Sequence, residues 1–285
     1  MDRPEFLSQG ERARLFPILS EKNKEARALS PFLATFSVVK DYAAEILGEI
    51  GVRIGTRASI ECFTEVCFAG DRNNPDRSRP DGLIVVNTGR SRWSALVEAK
   101  IGDAQLGAEQ VERYLTIARA NRVDAVVTIS NQFSAVPHHH PVTISGHKTR
   151  SVDLFHFSWM HLLTIAQLQL MNGRVEDNEQ RWLLHEFVRF IVDDSAGVRG
   201  FDQMPAGWKP LVAAARQNSP NLPEKDAREV TEAWQQESRD LELILSRQLG
   251  RRVEQKLARD ERNNPHLKFQ NDLSRLGSGL IRATT

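Results

Sequence analysis

The sequence predicts an α/β protein: a mixed β-sheet flanked by helices, followed by an α-helical C-terminal region. Three observations predict this class. An amphipathic helical pattern precedes a group of strand-like segments, a second helical pattern interrupts that group, and no strand-like segment follows residue 173 or so. We therefore expect a sheet-containing domain over residues 1–172, whose first residues form an N-terminal extension, and a helical accessory domain over residues 173–285.

Each predicted element has its own local signal. Apolar residues recur at three- and four-residue spacing in the helices, strand formers cluster in the strands, and polar or turn-forming residues separate them. In chain order the sequence predicts a helix over 24–50, strands over 59–68, 81–86 and 93–101, a helix over 104–120, strands over 125–130 and 153–159, and helices over 178–192 and 223–263.

Composition restricts the function classes. The net charge is only +1, so a nucleic-acid-binding surface has to be a local patch of positive charge. Cys62 and Cys67 lie five apart in a predicted strand, which points them to opposite faces and favours two free thiols over a disulfide. No apolar run approaches the roughly 18 residues of a membrane span. These features predict a cytoplasmic protein with no membrane association.

Two short motifs bring acidic groups and a lysine to neighbouring strands. Pro80-Asp81 opens one strand, and Glu98-Ala99-Lys100 ends the next, with Glu98 seventeen positions after Asp81. Residues two apart on a strand share a face, so Glu98 and Lys100 point the same way. On the following helix, Gln110 and Tyr114 lie one turn apart on the same side.

This combination suits metal-dependent hydrolysis of a phosphodiester. Asp81 and Glu98 can bind a hard divalent cation, Mg²⁺ or Mn²⁺, with the Ala99 backbone carbonyl as a further oxygen ligand. Lys100 can hold the attacking water and stabilise the transition state. The alternative is a solvated ion pair at a sheet edge, because acid-x-Lys triplets are common. A second triplet, Glu254-Gln255-Lys256, falls in a predicted helix, where positions i and i+2 diverge.

The order helix, strand, Pro80-Asp81 strand, Glu98-Ala99-Lys100 strand, Gln110 helix, strand resembles the PD-(D/E)xK nuclease superfamily, over roughly residues 20–160. The Gln110-x-x-x-Tyr114 pair is similar to the signature of its RecB-like branch. The resemblance implies a restriction-endonuclease-like αβββαβ core and phosphodiester hydrolysis with Mg²⁺ or Mn²⁺. It also implies that Asp81 and Glu98 bind the metal, that Lys100 assists the water, and that Gln110 orients metal-bound water or the DNA backbone, with Tyr114 nearby.

Members of this superfamily often add one more acidic residue, and two candidates compete here. Glu65 lies on the strand before Asp81, and Glu25 opens the first helix; we favour Glu65. Loop arginines beside the Asp81 strand are candidate phosphate contacts. They are Arg79, Arg90 and Arg92. His138-His139-His140, bracketed by prolines, is expected to form a solvated loop and not a metal site.

The leading expectation is a divalent-metal-dependent nuclease acting on DNA in restriction, phage defence or repair. The alternative is a nuclease-fold nucleic-acid-binding or assembly subunit with vestigial or partner-dependent catalysis, and an RNA-directed nuclease is a third possibility. The last long helix carries an apolar stripe expected to pack on helix 178–192, and its basic end favours a protein partner or self-association as much as DNA. The stripe comprises Trp234, Leu241, Leu245 and Leu249.

Overall fold

A computed structural model describes residues 5–15, 23–68, 79–89, 91–145, 148–216 and 223–277. It shows an α/β protein with a six-stranded mixed open sheet and a helical C-terminal region. The strands are β1 Leu7–Arg12, β2 Ser59–Phe68, β3 Gly82–Asn87, β4 Arg92–Ala99, β5 Ala125–Ser130 and β6 Asp153–Ser158. The helices are α1 Lys24–Val38, α2 Lys40–Glu49, α3 Ala108–Ala120, α4 Trp159–Met171, α5 Asn178–Val192, α6 Trp208–Arg216, α7 Glu224–Leu249, α8 Arg259–Asn263 and α9 Pro265–Gly277.

The strands lie in the sheet in the order in which they occur along the chain. Strands β1 to β4 are antiparallel to their neighbours, whereas β4, β5 and β6 are parallel. Helix α3 supplies the crossover that the parallel pair β4 and β5 requires. The predicted strands β2 to β6 are confirmed, but β1 was expected to be an extension. Only Leu7 and Ser8 of β1 are buried, so it has no alternating pattern to reveal it.

Helices cover both faces of the sheet. On one face, α1, α2, α4 and α5 enclose an apolar core that includes Phe32, Tyr42, Trp159 and Phe187. On the other face, α3 packs over β3, β4 and β5. Because α5 contributes to the first core, the predicted boundary between residues 172 and 173 divides residues that pack together.

The predicted helix over 24–50 is two helices. The backbone at Val39 leaves the helical region, and the buried Val39 side chain enters the core while Val38 is exposed. Two consecutive β-branched residues favour such a break. The Gln180 side chain accepts a hydrogen bond from the backbone N–H of Lys40, so the start of α2 has a partner on α5.

The prediction of one helix over 223–263 is also wrong. Helix α7 ends at Gly250, whose φ of 64° is the left-handed conformation that commonly stops a helix. Glu254-Gln255-Lys256 therefore lies in the irregular segment before α8. The apolar stripe does not pack on α5: α7 contacts α4 and α9, while Leu241, Leu245 and Leu249 are exposed.

Cys62 and Cys67 are free thiols, as predicted, and Cys62 is buried. Among the helices that the structure describes, none combines the length and the hydropathy that crossing a bilayer requires. Residues 69–78, which contain most of the predicted polar loop before Pro80, lie outside the described residues.

Candidate active site

Strand register brings the two carboxylates together. In the antiparallel pair β3 and β4, Gly82 lies opposite Val97, so the preceding Asp81 lies opposite Glu98. The Asp81 side chain accepts a hydrogen bond from the backbone N–H of Ala99 at 2.9 Å, which fixes its orientation. Glu98 is almost completely buried, at 1% exposure.

The lysine is held at the end of β4 by its own backbone. The N–H of Lys100 donates to the carbonyl of Ile129 at 2.8 Å, and its carbonyl accepts from the Trp159 indole at 2.9 Å. Its ammonium nitrogen lies 2.7 Å from Glu98 Oε1. The side chains of Glu98 and Lys100 therefore lie on the same side of the strand, as predicted.

Glu25, in the first turn of α1, approaches the Lys100 ammonium. Its carboxylate lies 3.5 Å from the Lys100 ammonium. The approach of α1 depends on Gly82, because a Cβ there would lie 2.8 Å from a Leu33 methyl group and 3.3 Å from the Phe63 carbonyl. A glycine at the start of β3 thus allows α1 to pack close to the sheet beside the carboxylates.

Gln110 and Tyr114 form a hydrogen-bond chain beneath Glu98. The Gln110 amide donates to Glu98 Oε1 at 2.6 Å and contacts the Tyr114 hydroxyl at 3.3 Å. The Tyr114 hydroxyl in turn donates to the Arg79 carbonyl at 3.2 Å. Both residues predicted to support the site therefore contact it, and the chain connects α3 to the segment that precedes β3.

The pKa values of Asp81, Lys100 and Tyr114 are shifted by burial and by the negative charges nearby. Burial, followed by the charge of Glu98, raises the pKa of Asp81 to about 8. Burial alone would lower the pKa of Lys100, but its hydrogen bond to Glu98 and the surrounding acidic charges raise it overall. Burial and the charge of Glu98 also raise the pKa of Tyr114, which keeps its hydroxyl protonated. At neutral pH, without a cation, Asp81 holds a proton and Lys100 is charged.

One atom of this group has no protein partner. Glu98 Oε2 is buried and forms no hydrogen bond with another residue that the structure describes. A buried polar atom without a partner is costly, and a cation or ordered water is the usual explanation. The described residues contain no cluster of three or more His, Cys, Asp or Glu side chains suited to a metal ion. Asp81 and Glu98 nevertheless fit Mg²⁺, which usually takes one or two protein carboxylates and keeps several waters.

The structure favours Glu25 over Glu65 as the additional acidic residue, the reverse of the sequence-based preference. Glu65 is exposed, and its side chain forms no hydrogen bond or ion pair with another described residue. Its φ of 54° is left-handed, which marks a bulge where the β1–β2 register shifts. The preference for Glu65 relied on its position in the strand before Asp81, and the bulge alters where a side chain in that strand points. The Ala99 carbonyl remains a predicted ligand.

The three loop arginines have different positions. Arg79 is exposed beside Pro80, and its carbonyl holds Tyr114. Arg90 lies outside the described residues. Arg92 is exposed at the start of β4, about 20 Å along the strand from Glu98, and its guanidinium lies over the Phe6 ring, 5.0 Å from the centroid; its contact with a phosphate stays a prediction.

The prediction of a solvated histidine loop is wrong. His139 is buried and contacts the Arg262 carbonyl at 2.8 Å, while His140 and His156 each contact the Thr128 hydroxyl at 2.9 Å. Burial lowers the pKa of His140 to about 4 and that of His156 to about 3. These neutral imidazoles fasten the loop after β5 to the edge of the sheet, a long-range role that the local sequence does not signal.

No protein-family model, curated protein or solved structure matches this chain. The functional interpretation therefore depends on the geometry of Asp81, Glu98, Lys100 and Gln110.

Proposed function

We propose that this protein is a divalent-metal-dependent nuclease that hydrolyses phosphodiester bonds, with DNA as substrate, in restriction, phage defence or repair. One observation carries the proposal: Asp81 and Glu98 lie opposite each other beside the Lys100 ammonium. In this proposal the segment from α1 to β5 is a restriction-endonuclease-like αβββαβ core, to which β1 and β6 are added.

Asp81 and Glu98 would hold the cation, Mg²⁺ or Mn²⁺. When bound, the cation neutralises charge on the phosphate and lowers the pKa of a bound water. The protein's own contribution is orientation. Gln110 and Lys100 both contact Glu98 Oε1, which leaves Oε2 as the free oxygen, and the Ala99 N–H fixes Asp81.

Lys100 is the residue placed to act on the phosphate and the water. Its ammonium is partly exposed, and its raised pKa keeps it protonated through the neutral range. A fixed positive charge at this position stabilises the negative charge that develops in the transition state. Glu25, 3.5 Å away, limits where the ammonium can lie, so we assign it a positioning role.

The first test is digestion of single- and double-stranded DNA and RNA with Mg²⁺. We expect Lys100→Ala to lower the cleavage rate about 1,000-fold or more while its circular dichroism spectrum at the assay temperature stays that of the folded wild type; its melting temperature should fall, because the buried Glu98 loses its ammonium partner. The matched control is Lys256→Ala, because the Glu254-Gln255-Lys256 triplet has the same acid-x-Lys spacing in an irregular segment. Unchanged cleavage by Lys100→Ala would refute the proposal, and equal losses in both variants would show that the effect is not specific to the site.

The second candidate is a nuclease-fold nucleic-acid-binding or assembly subunit without catalysis of its own. The observation that favours it is the exposed apolar face of α7, formed by Leu241, Leu245 and Leu249. Exposed apolar patches often mark protein-protein contacts. This candidate predicts no cleavage of any of the four substrates by the wild type, together with binding that persists in Asp81→Asn.

A further inference from the structure

We propose that the cavity between α1 and the turn Asp194–Ala196 binds a phosphate of the substrate next to the one that is cleaved. This inference rests on the proposed nuclease function and adds the direction in which the substrate strand leaves the catalytic group. The cavity has a volume of about 370 Å³. Its lining residues are Lys24, Arg27, Ala28, Phe190, Ser195 and Ala196.

Two independent contacts place this cavity beside Lys100. On one side, Glu25 of α1 reaches the Lys100 ammonium at 3.5 Å, and Lys24 and Arg27, three positions apart, share an adjoining face of the same first turns. On the other side, the carbonyl of Gly197 accepts a hydrogen bond from the N–H of Gly102 at 3.1 Å, two residues after Lys100. Both walls of the cavity are therefore attached to the segment that carries the catalytic lysine.

The turn is fixed against this segment by close packing. Gly197 has a φ of 72°, and a Cβ there would lie 2.9 Å from a methyl group of Ile101. The Asn131 side chain adds hydrogen bonds to the carbonyls of Gly102 and Gly197, at 3.1 and 2.9 Å. The wall formed by Ser195 and Ala196 is thus held in place relative to the end of β4.

The two cations of the cavity have no acidic partner among the residues that the structure describes. Lys24 is exposed and Arg27 half-buried, and neither forms an ion pair or side-chain hydrogen bond there. Other arginines at the surface do have such partners, as Arg199 has with Asp103 at 2.9 Å. A guanidinium and an ammonium left without carboxylates can bind an anion, and a guanidinium matches the geometry of phosphate. No acidic residue lines the cavity.

Two acidic residues border the cavity without lining it, and they make the proposal more specific. Asp193 and Asp194 are exposed at the start of the turn, and Asp193 accepts a hydrogen bond from the backbone N–H of Ser195. Their charge opposes an anion, so removing one of them should strengthen binding. Removing Lys24 and Arg27 should therefore weaken anion binding, whereas removing Asp194 should strengthen it. A purely structural role of these residues does not predict opposite effects on affinity.

The proposal defines the class of substrate. A ligand that reaches both Lys100 and this cavity has to be a polyanionic strand with at least one phosphate beyond the scissile one. A mononucleotide ester carries no such phosphate and should be a poor substrate. Removing the two cations should therefore raise KM for a nucleic-acid strand and change kcat little, because Lys24 and Arg27 lie away from Asp81 and Glu98.

The test measures binding of a fluorescent DNA duplex of about 20 base pairs by anisotropy, in EDTA and at a series of salt concentrations. Each phosphate contact contributes about 0.9 to the slope of log K against log salt. We expect Lys24→Ala/Arg27→Ala to remove one phosphate contact, which lowers the slope by about 0.9 and weakens binding about tenfold or more, and Asp194→Asn to tighten binding severalfold. The control pair Lys209→Ala/Arg216→Ala removes two exposed cations from α6, which does not line the cavity, and should change the slope less.

The outcomes separate this inference from the nuclease proposal. If the wild type cleaves DNA but the double variant keeps the wild-type slope, affinity and KM, the phosphate site is refuted and the nuclease function stands. If the wild type does not cleave but the slope falls as expected, the phosphate site stands and the nuclease function fails. Equal losses in the double variant and in the α6 control would also refute the site, because they would show only a general effect of charge.

Discussion

Two groups of buried charged side chains lie at different places in the fold and balance their charges differently. The sheet-end cluster, at the C-terminal end of β4, has two carboxylates beside one ammonium and leaves a buried oxygen of Glu98 without a partner. The α7 cluster lies between α2, α4 and α7. Its members are Glu49, His161, Arg239, Glu242 and Arg252.

In the α7 cluster each charged group faces an opposite charge. Glu49 Oε1 and Oε2 and Arg239 Nε nevertheless form no hydrogen bond with a described residue, as is also true of the buried oxygen in the sheet-end cluster, so an unpartnered buried atom does not by itself distinguish the two clusters. Arg239 contacts Glu242 at 2.6 Å, and Arg252 contacts Glu49 at 2.7 Å. Burial lowers the pKa of His161, and its Nε2 atom lies 3.2 Å from both Arg239 and Glu49 Oε2. Burial would raise the pKa of Glu49, but the interaction with His161, followed by the charges of Arg252 and Arg239, lowers it overall.

The comparison indicates what each cluster does. Balanced charges need no ligand and hold helices together, so the α7 cluster is structural. Burial, followed by the charge of Glu98, raises the pKa of Asp81 to about 8, so the folded protein without a cation keeps a proton there at neutral pH. Burial of charge is common to both clusters, whereas the strongly raised pKa of Asp81 makes the sheet-end cluster the candidate functional site.

The largest effect on stability is expected in the α7 cluster. Arg239→Ala leaves the buried Glu242 carboxylate without its partner, so we expect the free energy of unfolding to fall by about 3–5 kcal/mol. Urea denaturation measures this change. The double variant Arg239→Met/Glu242→Leu removes both charges and should recover most of the loss. A decrease below about 1 kcal/mol in the single variant would contradict the assigned structural role.

An effect of opposite sign is expected for Asp81→Asn without metal. The pKa of Asp81 is about 8 in the folded protein and near 4 in the unfolded chain, so its stabilising contribution is complete below pH 4 and is lost as the pH rises to 8. Asparagine does not ionise and still accepts from the Ala99 N–H. We expect the variant to be more stable than the wild type by over about 1 kcal/mol at pH 8, and equal to it near pH 4, in urea titrations with EDTA. A difference independent of pH would contradict the assigned ionisation.

The smallest effect is expected on the outer face of α7. Leu245 is 43% exposed, so Leu245→Gln should change the free energy of unfolding by less than about 0.5 kcal/mol. Leu243, on the inner face, is 3% exposed, and Leu243→Ala should cost about 2–5 kcal/mol. Thermal denaturation of both variants measures the contrast. Similar losses would mean that the exposed face is covered, for example by a second copy of the chain.

The sequence predicted the part of the site that depends on local patterns. Strands β3 and β4 are apolar runs with clear ends, and their antiparallel pairing follows from the short turn between them, so Asp81, Glu98 and Lys100 could be placed together. Gln110 followed from helical periodicity. Local patterns do not show how closely one element packs on another. Glu25 reaches Lys100 because Gly82 lets α1 pack closely on the sheet.

The errors on α7 and Glu65 have similar physical causes. Periodicity identifies the apolar positions of α7, and these were expected to be buried. The helix instead buries its polar side, where charged residues such as Arg239 and Glu242 form ion pairs. Alternation along a strand fails at a bulge, and Glu65 lies at one. The β1 strand escaped prediction because only its first two residues are buried, so no alternating pattern reveals it.

The most direct test asks whether the sheet-end cluster binds a divalent cation. Mg²⁺ and Mn²⁺ are titrated by calorimetry into the wild type and into Asp81→Asn at a series of pH values. Because the cation has to displace the Asp81 proton, we predict that affinity for the wild type rises about tenfold per pH unit up to about pH 8 and then levels off, and that Asp81→Asn loses this binding. Equal binding by both proteins, or no binding by the wild type at pH 8, would contradict the account.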